Sequence, residues 1–232
     1  MLHLQPVPKI ITFDCYGTLV QWHDAVRSAA RAILAGRLPK TDAQDRSAAL
    51  ADRLRSIAVD RQQRSPFREY KSVLRSALAE ALAEAGHPAK PEDEDTLLTI
   101  LSRIEPHPEV PSALDRLRAR YRLAVISNTD DDLIAGTIAA IGVPIDFVVT
   151  AQQARAYKPD HGLFLHAYRT LGVTKEETIH VGMGQFTDLK VCHELGIRSV
   201  WIDRIGEPPN PDWPPHATLA DLSRLPDLLS SG

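Results

Sequence analysis

Four short polar stretches, each close to the end of an apolar run, carry the side chains of this sequence that could perform chemistry. The first is DCYGT at residues 14–18, which follows the β-forming run IITF and begins with the carboxylate of Asp14. A carboxylate at the carboxyl end of a buried strand lies where open α/β sheets bind their ligands. Such a group can attack an electrophile and form an ester that water then cleaves. Asp14 is therefore the candidate nucleophile.

The other three stretches supply a cation, hydroxyl groups, an amide and a second carboxylate. They are SNT at 127–129, YKPD at 157–160 and VGMGQFTD at 181–188. Lys158 is predicted to pair with Asp14 and keep it ionised, because a nearby cation lowers a carboxylate pKa by roughly 1–3 units. Asp188 could serve as a general base or cap the helix that follows it.

Hydroxyl and amide groups in the first two stretches could hold the anionic end of a substrate. Thr18 and Ser127 offer hydroxyl donors, and Asn128 offers an amide. Serine and asparagine also cap helices, so a structural role for Asn128 stays open.

The elements that must position these groups follow from the alternation of apolar runs and helical patterns. The apolar runs that predict strands are 9–13, 123–127, 147–150, 178–181 and 199–203, and the helical patterns between them include 131–141, 162–171 and 188–195. This alternation predicts βαβ units with helices on both faces of a parallel sheet. A Pro-rich loop at 208–215 should lead to a last strand and a short terminal helix. The fold class is therefore α/β with a Rossmann-like sheet.

One segment interrupts the alternation. Residues 22–107 are rich in Ala, Leu, Arg and Glu with apolar positions three and four apart, and prolines and a glycine divide them into several helices. We predict an all-helical cap over these residues, inserted after the first strand, and a core domain formed by 1–21 and 108–232.

Composition limits the classes of partner. The chain has 232 residues, 44% of them hydrophobic, and a net charge of −3, which favours neither nucleic acid nor a membrane surface. The cysteines Cys15 and Cys192 form no metal-binding spacing, and the first residues lack a signal-peptide pattern. We expect a cytoplasmic protein that takes a small anionic molecule and needs no cofactor. A homodimer through the apolar cap stays open.

The order and spacing of the four stretches resemble the motifs of the haloacid dehalogenase superfamily. A cap after the first motif is similar to the subgroup that contains the L-2-haloacid dehalogenases and many small phosphatases. The resemblance implies that Asp14 is the nucleophile and that Asp188 activates the water that cleaves the ester.

Tyr16 separates the two activities of that subgroup. The phosphatases carry an aspartate at this position, which protonates an alcohol leaving group, whereas the dehalogenases carry an Asp-x-Tyr-Gly-Thr run that 14–18 resembles. A tyrosine with a pKa of ~10 is a poor acid at neutral pH, but a halide ion leaves without a proton. Tyr16 therefore favours displacement at carbon, with its ring shaping the pocket.

Met183 points the same way. In the phosphatases of the superfamily an aspartate in this place holds Mg²⁺, which demands oxygen ligands. The thioether of Met183 is too soft for that ion. The sequence therefore predicts a site without a metal.

The resemblance weakens in two places. The last stretch is one residue longer than in the dehalogenases, so that Gln185 is assigned the part of their asparagine amide, and Phe164 stands where they have a tyrosine. They also use a cap arginine to hold the substrate carboxylate or the halide. Of the candidates Arg53, Arg55, Arg61 and Arg64, we select Arg53.

These residues together predict a metal-independent hydrolase of the L-2-haloacid dehalogenase type. The alternatives are a phosphatase of a small phosphomonoester and a superfamily scaffold that binds a small anion or a partner without turnover. The altered loop around Met183 keeps the last alternative open.

Overall fold

A parallel sheet of six strands forms the centre of the protein, in a computed structural model that describes residues 5–229. The strands are β1 (Ile10–Phe13), β2 (Arg122–Ser127), β3 (Phe147–Thr150), β4 (Thr178–Gly182), β5 (Ser199–Ile202) and β6 (Ala217–Leu219). Their order is β3-β2-β1-β4-β5-β6, and every neighbouring pair is parallel. The central strands β1 and β4 are buried throughout, as expected for a parallel sheet covered on both faces.

Ten α-helices lie between and beside the strands of the described part of the chain. They are α1 (Trp22–Ala35), α2 (Lys40–Gln62), α3 (Tyr70–Glu84), α4 (Pro91–Leu101), α5 (Val110–Arg118), α6 (Asp131–Ile141), α7 (Ala151–Ala154), α8 (His161–Leu171), α9 (Lys190–Leu195) and α10 (Leu225–Leu229). The five predicted strands, the sixth strand after the Pro-rich loop and the terminal helix are all present, which confirms the predicted α/β class.

The topology places the candidate nucleophile at a natural binding crevice. The chain fills the sheet outward from β1 in one direction through β2 and β3, and then returns to the other side of β1 with β4. Open α/β sheets bind ligands at the carboxyl ends of the strands where the strand order reverses in this way. Asp14 follows β1 directly, and its N–H donates to the carbonyl of Val181 on β4 at 2.9 Å.

Helices α1–α4 occupy the segment between β1 and α5 and pack on each other, with α1 against α2 and α4, and α2 against α3. Helix α3 buries Tyr70 at its start and Val73, Leu74, Ala77 and Leu78 along one stripe, in the three-and-four spacing that the sequence shows. An all-helical insertion after the first strand is thus present. The division into separate core and cap domains stays a prediction.

The predicted helix at 188–195 differs from the observed structure at its start. Residues Gln185–Leu189 form a π-helical turn, and the α-helix α9 begins only at Lys190. The carbonyl of Gly184 accepts from the N–H groups of both Asp188 and Leu189 at 2.8 and 3.2 Å, which widens the turn. Such widened turns are frequent at functional sites. No helix of the described residues is long and apolar enough to cross a membrane.

Candidate active site

Asp14 presents its carboxylate at the end of β1, with a specific donor on each oxygen. Oδ1 accepts from Nζ of Lys158 at 2.8 Å, and Oδ2 accepts from Oγ1 of Thr18 at 2.7 Å. The residue is 8% exposed, and it lines a cavity of about 440 Å³. Two fixed donors leave the carboxylate one orientation, which is what an in-line attack on a bound molecule requires.

The turn after Asp14 brings Thr18 back to it. Gly17 has φ +92°, a conformation that residues with a Cβ rarely adopt, and a Cβ there would lie 3.2 Å from Sδ of Met183. The hydroxyl of Thr18 in turn accepts from the N–H of Met183 at 2.9 Å. The first and last of the four predicted stretches are therefore joined through the threonine that orients Asp14.

Lys158 lies at the centre of the site, only 1% exposed. Its ammonium donates to Asp14 Oδ1 at 2.8 Å, to Asp188 Oδ1 at 2.6 Å and to the carbonyl of Ile126 at 3.0 Å. All three donors of the group are used, so the buried cation is fully paired.

Asp188 is completely buried and does not line the cavity. Its Oδ1 accepts from Lys158 and lies 3.3 Å from Nε2 of His180. Its Oδ2 accepts from the N–H of Gly184 at 3.0 Å and from Oγ1 of Thr187 at 3.2 Å. Four polar groups thus surround the carboxylate of Asp188, and Lys158 is the hydrogen-bond donor that it shares with Asp14.

Charge and burial act on the pKa values of these three residues in different ways. Burial raises the pKa of the Asp14 carboxyl, while the Lys158 ammonium opposes that rise. Burial would also raise the pKa of Asp188, but Lys158 and His180 outweigh it and hold that pKa below its ordinary value. The pKa of Lys158 is raised, because Asp14 and Asp188 outweigh the cost of burying its charge. Lys158 and Asp188 are therefore charged at neutral pH.

Asn128 fixes the backbone of Lys158. Its Oδ1 accepts from the N–H of Lys158 at 2.7 Å, and its Nδ2 donates to the carbonyl of the same residue at 2.9 Å and to Oε1 of Gln62 at 3.1 Å. Both ends of the amide are thus engaged within the chain. The neighbouring Ser127, by contrast, lines the cavity with a buried hydroxyl that has no hydrogen-bond partner. Ser127 is accordingly the better placed of the two to bind a ligand.

Tyr16 lines the same cavity with a hydroxyl that accepts from Oγ1 of Thr129 at 3.3 Å. Burial raises its pKa well above the ordinary value, so the phenol stays protonated and is a weaker acid than a free tyrosine. Its ring lies 6.3 Å from that of Tyr70, on the side of the helical insertion.

The structure does not bring Arg53 to the site, which corrects the choice among the insertion's arginines. Its guanidinium is bonded to Glu84 at 2.5 and 2.7 Å, and it lines a separate cavity. Arg55 lines the cavity of Asp14 instead, with Nη1 3.2 Å from Asp52 and its guanidinium 5.8 Å from the ring of Trp22. Residues two positions apart on a helix, such as Arg53 and Arg55, point about 200° apart around its axis, so only one of these two can face the sheet.

Gln185 lies at the cavity, but its amide is not free. Nε2 donates to the carbonyl of Pro208 at 2.9 Å, and Oε1 accepts from the N–H of Asn210 at 2.6 Å. The side chain ties the last stretch to the Pro-rich loop. These bonds use one donor and one acceptor position of the amide, so its assignment to substrate binding stays a prediction.

Several side chains near the site were not predicted from the sequence. His180 on β4 connects Thr12 Oγ1, 2.9 Å from its Nδ1, to Asp188, and Phe164 packs edge-on against its ring. The sequence signal for His180 is a histidine inside an apolar strand.

His23 and Thr187 line the cavity and carry no sequence signal of their own. Burial and the charge of Arg55 lower the pKa of His23 to about 4, so its imidazole is neutral at pH 7.

The polar groups do not suit Mg²⁺. Both Asp14 and Asp188 accept from one ammonium, Met183 places a thioether at the cavity, and the hydroxyl of Tyr16 is held by Thr129. Within residues 5–229 no group of three or more His, Cys, Asp or Glu side chains is placed to hold a metal ion.

The chain is similar to known proteins of more than one activity. The chain is 26% identical to (S)-2-haloacid dehalogenase 4A of Burkholderia cepacia over 96% of its own length and 95% of that protein's. It is 31% identical to a phosphoserine phosphatase of Thermus thermophilus over 69% of its length and 64% of that protein's. The structure superposes on a dehalogenase crystallised as an intermediate complex with a TM-score of 0.85, at 24% identity, covering 99% of this chain and 100% of that one.

The family is shown by a match that covers most of the chain. The model of the haloacid dehalogenase-like hydrolases matches residues 8–196, which include all four polar stretches predicted from the sequence. The chain belongs to the haloacid dehalogenase-like hydrolase family.

Proposed function

We propose that this protein is a hydrolytic dehalogenase that removes halide from a small 2-haloacid through an ester on Asp14. The proposal rests above all on Tyr16. The cavity holds a fixed carboxylate nucleophile, and the phenol in the place of a proton donor is held by Thr129 with a raised pKa. A reaction that needs no protonated leaving group fits these two facts, and displacement of a halide ion is such a reaction.

In the first step an oxygen of Asp14 attacks the halogen-bearing carbon from the side opposite the halogen. A carbon–oxygen bond forms, the carbon–halogen bond breaks with its electron pair, and halide leaves. Lys158 and Thr18 hold the carboxylate before the attack at 2.8 and 2.7 Å. Burial raises the pKa of Asp14, and the Lys158 ammonium opposes that rise and so favours the ionised carboxylate that attacks.

Groups with unused hydrogen-bonding capacity are placed to hold the anionic parts of the substrate. Ser127 has a buried hydroxyl without a partner, and Arg55 brings a guanidinium to the insertion side of the cavity. His23 is uncharged at neutral pH, so Arg55 supplies positive charge on that side. We assign Ser127 to the substrate carboxylate, and Arg55 to that carboxylate or to the departing halide.

In the second step water cleaves the ester at its carbonyl carbon and restores Asp14. Lys158 lies 2.8 Å from one oxygen of Asp14 and can stabilise the negative charge that develops there. Asp188 is the candidate base for the water, as the family resemblance implies, and it holds Lys158 in place at 2.6 Å.

Halide release from a panel of 2-haloacids tests the proposal. We expect chloro- or bromoacetate, or one enantiomer of 2-chloropropionate, to lose halide at a rate that a chelator leaves unchanged. Asp14→Asn should abolish release, because an amide is not a nucleophile of comparable strength. Thr99→Val on exposed surface serves as the matched control that keeps full activity.

Two results would contradict the proposal. Mg²⁺-dependent hydrolysis of an aryl phosphate, lost in Asp14→Asn, would assign the site to phosphate esters. Failure to form any adduct on Asp14 across the panel, seen by intact mass, would indicate a binding scaffold.

We further propose a cytoplasmic location, supported by two buried free thiols, Cys15 and Cys192, which suit a reducing compartment. The assignment of 22–107 as a cap, and a homodimer, belong to the same proposal. Sedimentation of the purified protein distinguishes monomer from dimer.

A further inference from the structure

Because Asp188 is buried, it has no direct contact with the water that it would activate in the hydrolytic step. Its carboxylate is completely buried and does not line the cavity in which water would attack the ester. Its Oδ1 is taken by Lys158 at 2.6 Å and by His180 at 3.3 Å. A base must lie within hydrogen-bond reach of the proton it accepts, either directly or through one intermediate group. Asp188 therefore needs a connection to the cavity.

Thr187 provides that connection. Its hydroxyl donates to Asp188 Oδ2 at 3.2 Å, and the residue lines the cavity together with Asp14 and Ser127. A hydroxyl that donates one hydrogen bond retains lone pairs to accept another. Water in the cavity can thus donate to Thr187 while Thr187 donates to Asp188.

Close packing around Gly184 fixes the position of the Thr187 hydroxyl. A Cβ on Gly184 would overlap Oγ1 of Thr187 and would lie 2.9 Å from Oδ2 of Asp188. The N–H of Gly184 also donates to that same Oδ2 at 3.0 Å. The widened π-helical turn at Gln185–Leu189 sets threonine and aspartate side by side on this glycine. Only glycine leaves room for both.

We propose that Thr187 relays the proton of the hydrolytic water to Asp188, an inference that rests on the dehalogenase function proposed above. The water oxygen bonds to the carbonyl carbon of the Asp14 ester. Its proton passes to Oγ1 of Thr187 as the hydroxyl proton of Thr187 passes to Oδ2 of Asp188. The carbonyl electrons move to the oxygen beside Lys158. Asp188 is ionised at neutral pH because Lys158 and His180 hold its pKa low, as an acceptor of this proton must be.

Collapse of the intermediate completes the balance. The bond to the substrate oxygen breaks, and the alkoxide of the 2-hydroxy acid takes the proton back from Asp188 through Thr187. Asp14 is left as a carboxylic acid beside the Lys158 ammonium, and it loses its proton to solvent. One water is consumed, and one 2-hydroxy acid, one halide ion and one proton are formed for each turnover.

A series of substitutions at Thr187 tests the relay with the whole 232-residue chain and 2-chloropropionate. Thr187→Val keeps the shape and removes the hydroxyl, Thr187→Ala leaves space for a bridging water, and Thr187→Ser restores the hydroxyl. We expect the steady-state rate of chloride release to fall in the order Ser, Ala, Val, with Val about 100-fold below wild type. The first turnover of chloride should stay fast in Thr187→Val, and intact mass should show an adduct that accumulates on Asp14.

The possible results distinguish a failure of the relay from a failure of the proposed dehalogenase function. If Ala and Val are equally slow, or if Val turns over at the wild-type rate without adduct, the relay is wrong. If wild type itself releases no chloride and forms no adduct, the dehalogenase function fails and the relay fails with it. Circular dichroism of each variant checks its fold, and the comparison of Ser with Ala decides the case in which Val does not fold.

Discussion

The two walls of the cavity are built in different ways. On the sheet side, the polar atoms of Asp14, Lys158 and Asp188 are almost all bonded within the chain, at 2.6 to 3.3 Å. On the side of the helical insertion, Nε1 of Trp22 is buried without a hydrogen-bond partner. The guanidinium of Arg55 donates a hydrogen bond to Asp52 at 3.2 Å.

We interpret this difference as a division of the proposed roles, with the reacting groups on the sheet side and Arg55 as a binding group on the insertion side. A nucleophile and its cation must be held before the substrate arrives, because reorientation during the reaction would raise its barrier. Groups that bind a ligand need unused hydrogen-bonding capacity, which Trp22 has on the insertion side and Ser127 has on the sheet side. The comparison therefore predicts large effects on rate and stability from the sheet side, and smaller effects on substrate affinity from the insertion side.

The largest effect is expected at Lys158 on the sheet side. Lys158→Met leaves Asp14 and Asp188 buried without their shared cation, so we expect a loss of about 3–5 kcal/mol in the free energy of unfolding. Halide release should fall by at least about 1000-fold, since orientation of the nucleophile and oxyanion stabilisation are both lost. Urea unfolding and halide assays measure the two losses. A stable and active Lys158→Met would show that the sheet side is not held by this charge.

A second prediction compares the two carboxylates on Lys158. The pKa of Asp188 is lowered in the fold, so its contribution to stability is present above the unfolded value of about 3.9 and is lost as pH falls toward the folded value. The pKa of Asp14 is raised, so stability is lost as pH rises through the interval between its unfolded and folded values. Asp188→Asn should therefore cost about 1–3 kcal/mol at pH 7, whereas Asp14→Asn should cost less or stabilise.

Urea unfolding of both variants and wild type between pH 3 and pH 7 checks these signs. The deficit of Asp188→Asn relative to wild type should shrink below about pH 4, where the aspartate of wild type begins to lose its advantage. A greater loss of stability in Asp14→Asn than in Asp188→Asn at pH 7 would contradict the assignment of the two roles.

The smallest effect is expected on the insertion side. Arg55→Ala should raise KM for a 2-haloacid about 10-fold with less change in kcat, because a charged contact to the bound anion is lost. Arg53→Ala is the matched control, since that guanidinium pairs with exposed Glu84 at a separate cavity. Steady-state kinetics of the two variants decide between them. Equal KM values would remove Arg55 from substrate binding.

The elements of the sheet and the loops after them could be read from the sequence because they depend on local patterns. Five apolar runs became strands within about one residue of their predicted bounds, and Asp14 and Ser127 lie at strand ends as expected. His180 was missed because a single histidine in an apolar strand does not show whether it meets a carboxylate. Its partners Thr12 and Asp188 come from different elements.

The surroundings of Arg53 and Gln185 depend on contacts between distant parts of the chain. Arg53 and Arg55 have the same chemistry and differ only in the phase of α2, which the packing of α2 on α1 and α3 decides. Gln185 has the right amide, but a loop more than twenty residues further along the chain binds both of its ends.

The sequence by itself determined the fold class, and it predicts Asp14 as the nucleophile, Lys158 as its cation and, through Tyr16, a leaving group that departs without a proton. Those properties follow from residue types at strand ends, where local pattern and position in the sheet coincide. The tertiary structure alone decided that Arg55 faces the cavity and that the amide of Gln185 is hydrogen-bonded to the Pro-rich loop. It also decided that Thr187 lines the cavity while Asp188 does not. Each of these depends on which distant backbone or side chain fills the remaining hydrogen-bonding positions, and no local pattern records that.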